Sequence, residues 1–160
     1  MIIEIEKKLR EMILKIVNTE ILLSVNGTPK KIDVFRGIIP YEKTGEILPA
    51  ISIRASKGKN SLMQRELEVS VIFETTNPDT EKGYEEHMRI LQKIIDEVIS
   101  KGTVDNIAEI SPEVKWEFLD EQAYPNYISQ IIFKIISQKV YRTDVDDFIN
   151  GREYWWKIKK

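Results

Sequence analysis

No cysteine occurs among the 160 residues, which excludes disulfide staples and thiolate-held metals. Only one histidine is present, His87, so a multi-histidine metal site is excluded as well. Basic charge is not in excess. Lys and Arg number 24 against 26 Asp and Glu, a formal net charge of −2, whereas a nucleic-acid surface usually carries a clear positive surplus. Sequence-specific nucleic-acid binding is therefore not expected. Apolar runs are short. The opening MIIEIEKKLREMILKI spaces charges through its apolar residues, and nothing later reaches the length that crosses a bilayer. The expectation is a soluble, intracellular protein with no membrane partner.

Catalytic signatures are missing too. The sequence contains no phosphate-cradling glycine loop ending in Lys-Ser/Thr, no dinucleotide glycine fingerprint, no nucleophile elbow and no paired-histidine zinc helix. Internal repeats and low-complexity segments are absent.

What is present is a foldable pattern. Hydrophobic residues make up 42% and charged residues 31%, a balance that buries a core rather than leaving a disordered chain. Ile5, Leu9, Met12, Ile13, Ile16 and Val17 recur at helical spacing, predicting an amphipathic first helix ending near Asn18. Asn26-Gly27 between apolar runs predicts a hairpin of Ile21–Val25 against Ile32–Phe35. Asn26-Gly27-Thr28 also matches a glycosylation acceptor, but a tight turn is the simpler reading. AISIRAS and RELEVSVIFE alternate as strands, with Leu67, Val69, Val71 and Phe73 inward. The polar SKGKNSLMQR between them reads as a protruding, mobile loop over Lys57–Gln64.

A second helix is predicted from Glu81 to Ser100, capped by Thr80, stopped by Gly102, and buried along Tyr84, Met88, Leu91, Ile95 and Val98. Two further strands follow, Val114–Leu119 and Ile131–Val140. On the first, Val114, Trp116 and Phe118 share a face that is expected to be core. The fold class is α+β (α/β mixed): an antiparallel or mixed sheet of four to five strands with two helices packed on one face. Residues 1–143 form one domain and 144–160 a C-terminal extension.

Clusters with chemical potential each have a bland reading. His87 reads as a structural or boundary residue rather than a catalytic base. Asp144, Asp146 and Asp147 begin like a calcium loop, but the glycine and distant glutamate of that motif do not follow in register. Asp79 and Glu81 suit a helix N-terminus. Arg54, Lys57, Lys59 and Arg65 make a basic stretch, either solvated or docking on a protein partner. Trp155-Trp156, followed by lysines, either anchors an interface or folds back on its own core.

An ordered series of segments resembles a known family. Leu48-Pro49-Ala50-Ile51-Ser52-Ile53-Arg54 comes first, then ELEVSVIFET, then NPDTEKGYEEHMRILQKIIDEVI with its Gly-Tyr pair opening a helix. VKWEFLDEQAYPNYISQIIFKI closes the series, so that it spans about Leu48 to Tyr141. In order and spacing it is similar to the tail terminator (tail completion) proteins of long-tailed bacteriophages and prophage tail-like particles. The resemblance implies a structural, non-enzymatic subunit that assembles with itself into a ring, usually a hexamer. That ring caps the head-proximal end of the tail tube, ends tube polymerisation and offers a head-joining surface. The implied partners are the tail tube protein and a head–tail connector or neck protein. The implied location is the neck end of the virion tail, and the host cytoplasm during assembly. No cofactor and no metal belong to such a role.

Under this reading the candidate interface residues are Arg54, Lys57, Lys59, Arg65, Glu117, Glu121, Tyr124, Tyr127, Trp155 and Trp156. Acidic groups beside apolar rings suit a boundary that is specific as well as adhesive. Two other readings stay open: another small neck or head–tail joining protein, and a small ligand-binding or regulatory α+β domain.

Overall fold

A computed structural model describes residues 2–38, 47–119 and 124–137. Helix α1 (Ile2–Val17) buries Ile5, Leu9, Ile13 and Ile16, one residue per turn along a single stripe. A small antiparallel ribbon follows, β1 (Ile21–Leu23) with β2 (Pro29–Lys31). Gly27 turns it at φ +78°, a conformation that a Cβ disfavours. Then come β3 (Asp33–Arg36), β4 (Ala50–Asn60), β5 (Arg65–Thr76), α2 (Thr80–Lys101), β6 (Thr103–Val104), β7 (Ala108–Leu119) and β8 (Asn126–Ser137).

The main sheet has six strands in the order β3-β4-β5-β8-β7-β6. It is mixed: β3 runs parallel to β4, and every other neighbouring pair is antiparallel. With the separate ribbon, the strand count exceeds the four to five expected. Strands near β1 and β3 were expected, whereas β2 and β6, of three and two residues, are too short to show a period. The predicted hairpin is corrected in the same way. Ile21–Leu23 pairs with Pro29–Lys31, whereas Asp33–Arg36 leaves the ribbon and joins β4 in the main sheet.

Both helices pack on one face of the sheet. Between them lie Ile53, Val69, Val71, Phe73, Ile131 and Phe133, all fully buried, against Ile90, Leu91, Ile94 and Val98 of α2. Arg10 of α1 donates its Nε–H to the Val34 carbonyl at 2.9 Å, and the Glu6 carboxylate accepts from the Ala55 N–H at 2.7 Å. Helix α2 is capped by the Asp79 side chain, which accepts from Lys82 N–H, rather than by Thr80. It ends on Gly102 in the left-handed region, as expected. Glu20 clamps Arg89 at 2.9 Å and Lys93 at 3.1 Å, fastening the chain after α1 to α2.

Two further expectations are corrected. Lys57–Gln64 is not a loose loop. Lys57–Asn60 and Arg65–Glu68 pair in register, and only Ser61–Gln64 turns. Composition reports that these side chains are wet; it does not report that β8 backs this end of β5 through Ser137–Lys134. Trp116 is not core either. It shares the helix-side face with buried Ile131, its register partner, yet is 51% exposed. Alternation assigns a side chain to a face but not to a depth, and β7 lies at the margin of that face. Tyr84, expected inside, is likewise 47% exposed.

Candidate protein interface

The face turned away from the helices carries Ile72, Ile128, Ile132 and Ile136, all only partly buried, with Leu119 beside Ile128 at 45% exposure. Among the described residues nothing covers this face. Glu74 stands on it next to Ile128 in register, and burial pushes its carboxyl above the usual carboxylate range.

The sheet margins are open over part of their length. Strand β3 covers β4 only from Ala50 to Ile53, so among the described residues the stretch from Arg54 to Asn60 has no outer strand, although the Glu6 carboxylate takes the Ala55 N–H. Strand β6 covers β7 only at Ala108 and Glu109, and the Ile110 N–H is taken by the Gly102 carbonyl, which leaves Ser111–Leu119 open in the same sense. Pro112 and a register shift between Ile110 and Val114 blunt the start of that edge, and from Val114 onward the pairing to β8 is regular.

The candidate residues divide between these two margins. Arg54, Lys57 and Lys59 lie on the outer part of β4, all exposed, and Arg65 starts β5 with its Nε–H on Asn60 Oδ1 at 3.2 Å. Glu117 is exposed on β7. Tyr124 is 62% exposed and donates its hydroxyl to the Pro78 carbonyl at 2.9 Å. Tyr127 is buried, and its hydroxyl donates to the Asp79 carbonyl at 3.2 Å. Arg54, Lys57 and Lys59 on β4 and Glu117 on β7 therefore sit at opposite margins of one sheet rather than in one patch, while Arg65 and Tyr127 lie on the inner strands β5 and β8. Glu121, Trp155, Trp156 and the Asp144–Asp147 cluster lie outside the described residues.

Behind the aromatic margin His87 has the structural place expected of it, with two hydrogen-bond partners that the sequence did not name. His87 is fully buried, with Nδ1 2.8 Å from Thr75 Oγ1 and Nε2 2.8 Å from Ser129 Oγ. Its ring stacks on Phe73 at 4.4 Å between centroids and meets Phe118 edge-on at 5.6 Å. Tyr84 meets Phe118 at 5.4 Å, so the aromatic chain runs from core to surface. Burial lowers the His87 pKa to about 4. A Ser–His–Thr line resembles nucleophile chemistry on paper, but all three side chains are sealed from solvent. What it does is pin α2 to β5 and β8. Thr75 and Ser129 occupy inward positions of alternating strands, and a polar residue at such a position is the signal that points to a buried partner.

No protein-family model matches the chain, and no curated protein matches it.

Proposed function

We propose that the protein is a structural, non-enzymatic tail component, a tail terminator that assembles into a ring, caps the head-proximal end of the tail tube and presents a head-joining surface. One observation carries the reading as an assembly subunit. Trp116, Leu119, Tyr84 and Tyr124 stay substantially exposed on and around an open strand whose exposed charges include Glu117. Large rings left half-wet beside a charged rim are the composition of an interface whose partner is elsewhere. The segment order from Leu48 to Tyr141 supplies the tail assignment. The partners are other copies of the chain, the tail tube protein and a head–tail connector or neck protein.

The role is tested by withholding the protein from assembling tails. Tubes should then exceed their normal length and fail to join heads, and added protein should restore both. Tubes of normal length that join heads without it would reject the role. A neck protein of another kind would leave tube length normal and abolish only the joining.

A further inference from the structure

We infer that the outer stretch of β4 in one copy pairs with the open stretch of β7 in the next, so that the six-stranded sheets join into one continuous sheet. The inference rests on the self-assembling reading above and names the surfaces that would make it. Direction is the first support. Strands β4, β5, β8 and β7 alternate in direction, so β7 runs opposite to β4. Two copies placed side by side with their helices on the same face therefore bring β7 and β4 together antiparallel, the favourable arrangement for adding a strand.

Fit along the strand is the second support. The open part of β4 lies toward Asn60, at the end where β5 begins at Arg65 and β8 finishes at Ser137. The open part of β7 lies toward Leu119, at the opposite end, where β8 begins. Matching them staggers neighbouring copies along the strand direction. In that stagger β3 of one copy and β6 of the other fall beyond the two ends of the shared stretch instead of colliding. These two short strands thereby act as stops for the register. A staggered sheet is also what closure needs, because strands in a closed sheet tilt and shear.

Charge is the third support. Arg54, Lys57 and Lys59 have register partners Ser70, Glu68 and Glu66, while Lys115, Glu117 and Leu119 have Ile132, Gln130 and Ile128. Both sets therefore stand on the face away from the helices, and charge favours the register that sets Lys59 opposite Glu117 and Lys57 opposite Leu119 over the one that would bring Lys59 against Lys115. Opposite charges across strands favour a pair and like charges oppose it. On the helix-side face Gly58 adds no side chain of its own, and Leu67 of β5 already closes over that position. The contact joins two different surfaces, so repetition yields a ring when the rotation closes.

Two charge variants test this. Lys57→Glu with Lys59→Glu makes the β4 margin acidic, and Glu117→Lys removes the acid from the β7 margin. Each variant alone should associate with itself at least about tenfold more weakly than the wild type in sedimentation velocity. Mixed in equal amounts they should assemble again, because each junction then joins opposite charges, in particles holding the two variants in equal number. Retained assembly of either variant alone, or a mixture that stays dissociated, overturns the edge pairing while leaving another ring geometry and the tail role standing. A wild type that stays monomeric up to millimolar concentration also overturns it. Edge-paired particles with no effect on tube length would instead reject the tail role and leave the pairing intact.

Discussion

Three residues show how this chain balances a sealed interior against an exposed aromatic margin. His87 is neutral where it lies, since its folded pKa is about 4 against about 6.5 in an unfolded chain. The unfolded state therefore binds the extra proton first, and folding loses stability as pH falls from about 6.5 to about 4, by about 3 kcal/mol in all. Denaturant melts of the wild type across that window should show the loss. His87→Gln, which cannot titrate, should show a shallower slope, and equal slopes would mean that the ring is not held neutral. Gly83 permits the close approach of α2 to Tyr127. A Cβ there would stand 2.8 Å from both the Asn77 Cβ and the Tyr127 ring. Gly83→Ala should destabilise by about 1–2 kcal/mol, overpacking outweighing the gain in helix propensity. Trp116 behaves oppositely. Because it is half exposed, Trp116→Ala should lower monomer stability by less than about 1 kcal/mol, far below the 3–5 kcal/mol typical of a buried ring. It should instead weaken self-association.

Elements show where sequence was informative and where it was not. Helix α1, helix α2 with its Gly102 stop, and the inward row of β5 were legible because each is long enough to repeat its period several times, whereas β8 was expected only from Ile131 although it begins at Asn126. Strand β6 was not legible, having two residues, and for β3 a strand was expected but its partner was not, because it pairs in parallel with β4 across a long connection. The extension of β4 through Lys57–Asn60 was hidden by its polar side chains, since the ladder that holds it uses backbone groups. The half-exposed state of Trp116 was hidden for a related reason: alternation on β7 names the face, but only the sheet order places that strand near a margin. Of the candidate interface, the residue types were readable and their division between two opposite margins was not. Glu6 illustrates the same coupling. Its carboxylate accepts from Ala55 N–H at the point where β4 passes beyond β3, with Arg36 nearby at 3.8 Å. Glu6→Ala should destabilise by about 1–2 kcal/mol in thermal or denaturant unfolding, the range for a hydrogen bond to a charged group. A neutral result would mean that water replaces that contact freely.

At the scale of the whole molecule, one face of the sheet is sealed by two helices, and the other carries isoleucines that nothing among the described residues covers. Among the described residues the margins are open in complementary positions, with Arg54, Lys57 and Lys59 on one and Glu117 on the other. Under the proposed role such a chain would fold as a subunit and finish burying its surface by association, with closure and specificity for a tube end following from the same margins. The most direct measurement is negative-stain microscopy of tail tubes grown from the cognate tube protein with the purified chain present. The account predicts a ring of density at one end of each tube, with growth arrested there. It predicts bare ends with the Lys57→Glu/Lys59→Glu variant, and rings again when that variant is mixed with Glu117→Lys. Tubes bare at both ends and still growing in saturating wild-type protein would contradict it.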